Sequence, residues 1–281
     1  MTAQNPLRVY VAQMCSVDHI EACCDQIFLH LELAKSAKPD LISFPENCLY
    51  LQLNGQLPEA AISLDHPVFK ELQAYSDATG AAIHLGGMPL RENDHVYNAT
   101  VWLQPSVPLE VVYRKIHLFD VEVAGKKLQE SLYYRQGHWS SVKSYKGWNI
   151  AFSICYDLRF AELYSGYAKR GADLILVPSA FLQTTGEAHW HTLLRARAIE
   201  SQCFVVAAAQ AGQHQSLYAS KTRQSYGHSV AYDPWGRLLM DLLGQDFAGG
   251  LVELDQGKIG EVRAQIPMAQ HRQNRHWTCD S

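Results

Sequence analysis

Residues 150–162, IAFSICYDLRFAE, put a thiol where an apolar run gives way to a polar, helix-like pattern. Free cysteine is a small hydrophobe that packs well in a core. A thiol at a helix N-terminus, by contrast, sits in positive potential and ionises more readily. Two other apolar runs end in groups that complement a thiol: Glu46 follows LISFP and Lys115 follows LEVVYR. A neutral thiol is a weak nucleophile and needs a base or a cation beside it. Glutamate can take its proton where burial and partners tune the carboxyl. An ammonium can hold the oxyanion formed when sulfur adds to a carbonyl or nitrile carbon. Taken singly, each residue has a plain alternative, core packing for Cys155 and solvated strand ends for the two charges. Taken together they supply nucleophile, base and oxyanion stabiliser.

The elements that carry them alternate along the chain. LRVYVAQM (7–14) reads as a buried strand, and Ile20, Cys24, Ile27, Leu31 and Ala34 recur at helical spacing, with Asp18 and Glu21 placed like a capping box. LISFPE (41–46) is a second strand. Residues 65–80 read as a helix with Pro67 in its first turn and Gly80 at its stop. Strands follow at 81–88, 96–104 and 109–115, then 116–140 without a clean period, a loop length usually tied to function. A helix is expected directly after Cys155, running to Arg170, with a strand in GADLILVPSAF, a helix in EAHWHTLLRARAIESQ and a strand in CFVVAAAQ. Two strands joined by the turn Asp233-Pro234-Trp235-Gly236, a strand in LVELD and a short helix complete the pattern. This predicts mixed α/β layers around buried sheets. With no repeat and no linker-like break, residues 1–281 read as one domain, with 265–281 as a polar tail.

The chain has 281 residues, 47% of them hydrophobic, and a formal net charge of −4. That length can bury a substantial core. No basic run is long enough to track phosphates, so no nucleic acid partner is expected. No apolar stretch approaches a membrane span and the start does not read as a signal peptide, so no membrane partner is expected. Seven cysteines at irregular spacing point to reduced thiols and a cytoplasmic location. His189 and His191 are two apart and do not share a helix face, so no metal site is expected. The dinucleotide, phosphate-loop and serine-elbow glycine motifs do not occur.

FPEN around Glu46, YRKIHLFD around Lys115 and CYDLRFAEL around Cys155 resemble, in order, the three signature motifs of the nitrilase (carbon–nitrogen hydrolase) superfamily, 69 and 40 residues apart. GADLILVPSAF, HWHTLLRARAIESQCFVVAAAQ and SYGHSVAYDPWGRLL extend the resemblance over most of the chain. It implies a four-layer α-β-β-α sandwich of two stacked mixed sheets, a homodimer or higher homo-oligomer, and no cofactor. It also implies a Glu–Lys–Cys triad at Glu46, Lys115 and Cys155, with a second glutamate at Glu130, or less well at Glu122. The implied chemistry is amide hydrolysis through a cysteine thioester, with the Tyr156 N–H and Lys115 on the oxyanion.

Within the superfamily the chain looks most like the deaminated-glutathione amidases, whose sister branch is the ω-amidases. Both take a 2-oxoglutaryl acyl group, which carries a carboxylate suited to Arg159. Phe181 and Thr185 match positions lining the acyl pocket in related amidases. His189 reads as structural or as a pocket wall, Cys203 as core, and His117 as structural. Ala161 stands where many relatives have proline, and residues 213–223 form a longer stretch than expected, bearing on leaving-group access. A nitrilase proper, an N-carbamoyl amidase, a Cys–His hydrolase and a silent binding protein on the same fold are the competing readings.

Overall fold

The computed structural model describes residues 6–53, 60–123 and 126–273. In the first half, strands β1 (Leu7–Gln13), β2 (Leu41–Phe44), β3 (Ala82–Glu92), β4 (His95–Gln104) and β5 (Val107–Arg114) accompany helices α1 (Ile20–Lys35) and α2 (Pro67–Thr79). A hairpin of β6 (Asp120–Val123) and β7 (Lys126–Gln129) follows, closed by a 3-10 turn at Glu130–Leu132. Next come β8 (Val142–Tyr145), β9 (Trp148–Phe152), a second 3-10 turn at Cys155–Arg159, α3 (Ala161–Lys169), β10 (Leu174–Leu176) and α4 (Gln183–Ser201). The chain continues through β11 (Phe204–Ala207), β12 (Ala211–Gln215), β13 (Thr222–Tyr226), β14 (Val230–Tyr232), β15 (Leu238–Asp241) and β16 (Ala248–Leu254) to α5 (Gly257–Gln265) and α6 (Met268–Gln273). The last part of the expected tail, 274–281, lies outside the described residues.

Two six-stranded mixed sheets result, ordered β16-β1-β2-β3-β4-β5 and β15-β14-β11-β10-β9-β8. In each, a parallel trio (β1-β2-β3, β9-β10-β11) is extended by antiparallel strands. The period-2 alternation of strand side chains decides how the sheets stack. Val9 and Val11 of β1 share a buried cluster with Ile150 and Phe152 of β9, Leu174 and Leu176 of β10, and Val206 of β11, so these faces meet. Tyr10 and Ala12 point the other way, onto Ile27, Leu31 and Ala34 of α1 and Leu72 of α2. Ile175 and Val205 turn outward onto Tyr164 and Tyr167 of α3 and Trp190 and Leu194 of α4. The order of layers is α-β-β-α, as the resemblance implied.

Several local expectations need correction. The N-cap of α1 is His19, whose ring accepts from the Ala22 N–H; Asp18 instead accepts from Ser216 Oγ and the Leu217 N–H, tying the helix entrance to a distant loop. The segment 116–140 is not structureless, since it holds the β6–β7 hairpin and a 3-10 turn. Residues 213–223 are largely the β12–β13 hairpin. The helix expected directly after Cys155 starts at Ala161, after the 3-10 turn and an extended Phe160. The nucleophile therefore does not sit on the N-terminus of an α-helix.

Candidate active site

Glu46, Lys115 and Cys155 each follow the C-terminal end of a strand, namely β2, β5 and β9. The stacking of the sheets brings the three ends together. Lys115 Nζ donates to Glu46 Oε1 at 2.9 Å and lies 2.9 and 2.8 Å from the two oxygens of Glu130. The Cys155 thiol lies within hydrogen-bonding reach of the Glu46 carboxylate and accepts from the Ala180 N–H. Lys115 and Glu46 are 1% and 2% exposed, so their mutual attraction is scarcely screened by water. All eight residues singled out in the sequence, Glu46, Lys115, Glu130, Cys155, Tyr156, Arg159, Phe181 and Thr185, line one cavity of about 340 Å³. Glu122 is exposed on β6 and does not reach it.

The electrostatics assign protonation states. Burial opposes ionisation of Glu46, but the Lys115 ammonium and hydrogen bonds from Lys115, Cys155 and Asn98 outweigh it and hold the carboxyl below its usual range. Burial also disfavours the Lys115 ammonium, yet the Glu130 and Glu46 carboxylates keep it charged well beyond its ordinary range. Burial, reinforced by the Glu46 charge, raises Glu130 despite its bond to Lys115. Burial and the Glu46 charge push the Cys155 thiol well up, against the pull of Lys115. The resting site is thus a neutral thiol beside a carboxylate. This reverses the idea of a thiolate stabilised by a helix end and makes an adjacent base necessary.

Cys155 has φ of +48°, rare for a residue with a side chain, and its N–H donates to Pro178 O at 2.9 Å. The turn that follows leaves the Tyr156 N–H without a hydrogen bond among the described residues, on the cavity wall, available to an oxyanion. Asp157 explains how this strained turn is held, and the sequence reading missed it. It is fully buried and accepts from the Ile154 N–H and Tyr113 Oη at 2.9 and 2.8 Å with one oxygen. With the other it accepts from His117, at the backbone N–H (2.9 Å) and Nδ1 (2.7 Å). One carboxylate thereby fastens the nucleophile's turn to both flanks of Lys115, and His117, stacked on Phe160, is structural. Asp157→Asn turns two of these acceptor contacts toward an NH₂ group and is expected to cost about 2–3 kcal/mol, read as a lower urea midpoint at unchanged slope.

Three further supports escaped the sequence. Asn98 Nδ2 donates to Glu46 Oε1 at 2.9 Å. It fits because residue 87 is glycine, where a Cβ would stand 2.3 Å from Asn98 Oδ1. Gln210 Nε2 holds the Glu46 carbonyl at 2.9 Å. Arg197, nearly buried in α4, donates to Leu158 O at 2.9 Å and so satisfies a carbonyl of the 155–159 turn. None of the three sits in a local pattern that marks its role.

Arg159 does not pair with Asp157 or Glu162. Its guanidinium lies over the rings of Tyr156 and Phe181 and donates to His189 Nδ1 at 3.3 Å, so His189 acts on Arg159 and is not a cavity wall. Cys203 is buried core. Lys127, Lys221 and Arg223, which the sequence reading did not single out, also line the cavity. Elsewhere His191, His228 and Asp241 place three ligand-type atoms within 4.8 Å of one another, but His228 Nδ1 already lies 3.1 Å from both Asp241 oxygens and His191 Nδ1 meets Tyr232 Oη at 3.0 Å. This group lies away from the cavity and has no part in its chemistry.

The carbon–nitrogen hydrolase family model matches residues 8–264. The nitrilase and fragile histidine triad fusion protein NitFhit of Drosophila melanogaster is 38% identical over 269 residues, covering 95% of this chain and 57% of the fly protein, so the chain spans little more than half of that relative. A deaminated glutathione amidase of Yersinia enterocolitica is 34% identical over 272 residues, covering 94% of this chain and 92% of the relative. The crystal structure of the C. elegans NitFhit protein superposes with a TM-score of 0.87 at 32% identity, covering 99% of this chain and 67% of the other. The matched span takes in both sheets and every strand end at the cavity, and this chain belongs to the carbon–nitrogen hydrolase family.

Proposed function

We propose that this chain is an amidase that hydrolyses a C–N bond through a thioester on Cys155, and that its substrate is deaminated glutathione, cleaved to 2-oxoglutarate and cysteinylglycine. The observation that carries the reading is the convergence of a neutral thiol, a low-pKa carboxylate and a buried ammonium in one cavity. Glu46 takes the thiol proton as sulfur attacks the carbonyl carbon. Lys115 Nζ and the Tyr156 N–H hold the oxyanion. Collapse of the tetrahedral adduct breaks the C–N bond, and Glu46 passes its proton to the departing amine. Water, deprotonated by Glu46, then attacks the thioester, and the acid leaves as the thiol is restored. Glu130 keeps Lys115 in place, and Arg159, flattened against Tyr156 and Phe181, takes the carboxylate of the acyl half.

The substrate rests on relatives named for deaminated glutathione and on Arg159. Purified protein incubated with deaminated glutathione should release cysteinylglycine, and acid quenching should trap a 2-oxoglutaryl adduct on Cys155 by intact mass. A higher kcat/KM on 2-oxoglutaramate would move the assignment to an ω-amidase, and absence of an adduct with normal folding would favour a binding protein. The reading includes a single domain, a cytoplasmic location and a homodimer. Among the described residues no helix is long and apolar enough to cross a membrane. An exposed apolar patch, where Ile199 lies against Gly236 beside Trp235 and Leu238, supports self-association, which sedimentation measures.

A further inference from the structure

The β12–β13 hairpin leans on the cavity wall. Ser225 bridges to Leu182, the Tyr226 N–H donates to Phe181 O at 3.0 Å, and Gly186 packs so closely on Tyr226 that a Cβ would lie 2.3 Å from its side chain. Lys221, just before β13, and Arg223, the second residue of the strand, both line the cavity. Arg223 Nη2 donates to Ala180 O, the residue whose N–H faces the Cys155 sulfur, so the guanidinium is fixed one residue from the nucleophile's wall. Its Nε is buried without a hydrogen-bond partner among the described residues.

The charges around the cavity do not balance. Its two carboxylates, Glu46 and Glu130, are both bonded to Lys115. Among the described residues, none of Lys127, Arg159, Lys221 and Arg223 has a carboxylate within salt-bridge distance, and all four line the cavity. Such a ring of unmatched cations suits an anionic ligand. Two guanidinium groups on separate elements suit one with two carboxylates, since each planar fork matches one. Arg159 is already assigned to the acyl half.

We propose that Arg223, with Lys221 beside it, forms a carboxylate subsite for the leaving group, selecting amides whose amine half ends in a free carboxylate over amides that release ammonia or a neutral amine. This rests on the amidase reading above and adds to it the residues that would hold the leaving-group side of the scissile bond. The anchor on Ala180 orders the guanidinium before the ligand arrives, which reduces what binding must order.

The test uses 2-oxoglutaryl-cysteinylglycine and the same compound with its terminal carboxylate converted to an amide. The wild type should prefer the acid, and Arg223→Gln should lower the acid-to-amide ratio of kcat/KM by about 10- to 100-fold, chiefly through KM, with Arg223→Lys recovering part of the preference. An unchanged ratio in Arg223→Gln overturns the subsite. If the wild type cleaves neither compound, the deaminated-glutathione reading fails and the subsite is decided separately, by protection of Cys155 from iodoacetamide with serylglycine against serylglycinamide. Protection that depends on both the carboxylate and Arg223 supports it; equal protection by the two peptides, or by the acid in both proteins, overturns it.

Discussion

Glu46→Gln is expected to lower kcat/KM by about 10³-fold or more with the fold intact, and to change the shape of the pH profile. The size follows from the state of the thiol. Cys155 is pushed well above its ordinary pKa by burial and by the Glu46 charge, so spontaneous thiolate is scarce at neutral pH. In the wild type the carboxylate removes the proton as sulfur attacks, and the rate does not wait for free thiolate. Glu46 lies below the usual carboxylate range, so its basic form persists above that point and is lost as pH falls through it. The wild-type rate should therefore fall only on the acid side, with an apparent pKa that belongs to the Glu46–Glu130 pair. In Glu46→Gln the thiol must ionise unaided, and the residual rate should rise with pH where the wild-type rate is flat. Removing the Glu46 charge also lets Lys115 lower the thiol somewhat, so the loss is smaller than for Cys155→Ala, which should leave only background. A variant within tenfold of wild type, or one retaining the wild-type profile, would place the base elsewhere.

The parts of the fold legible in the sequence are those written in period 2 or 3.6. Val9 and Val11 against Tyr10 and Ala12 encode a strand buried on both faces, and Pro67 and Gly80 mark the first turn and left-handed stop of α2. Glu46, Lys115 and Cys155 were legible because each is a reactive group closing an apolar run. What holds them was not. Asp157, Asn98 and Gln210 act through partners 40 to 164 residues away, and nothing local marks a residue whose role is a distant hydrogen bond. The protonation of Cys155 was likewise hidden, because it depends on depth and on a neighbouring charge, and the helix that would have argued for a thiolate begins six residues later at Ala161. The β6–β7 and β12–β13 hairpins were missed because their strands are only four or five residues long and hold too few large apolar residues to write an alternation, even where, as at His214, a side chain is buried. Arg223, on the second of them, went unseen for the same reason.

Lys115→Met tests whether the cluster is held by its central cation. With Lys115 present, Glu46 is stabilised as a carboxylate and Glu130 is raised, so their pH dependences partly offset: the stability from Glu46 is lost as pH falls, and that from Glu130 is lost as pH rises. Methionine preserves much of the stem's volume but leaves the buried Glu46 carboxyl and the partly exposed Glu130 carboxyl without the cation they share. Breaking such an ion pair costs about 3–5 kcal/mol. Both carboxyls then titrate above their unfolded values, so the variant is most stable at low pH and weakens as pH rises. Urea unfolding should show a gap between wild type and Lys115→Met that is wide at pH 8 and clearly narrower at pH 5, while kcat at neutral pH falls about 10²–10³-fold through loss of the oxyanion partner. Adding Glu130→Gln should restore stability at pH 8, since it removes one of the two opposed charges while keeping an oxygen for the Phe119 N–H, which Glu130 Oε2 accepts at 2.9 Å. The double variant is thus expected to be more stable than the single one but no more active. If the second substitution subtracts further stability at pH 8, repulsion between Glu46 and Glu130 is not what the ammonium relieves, and Lys115 acts in the fold by packing alone.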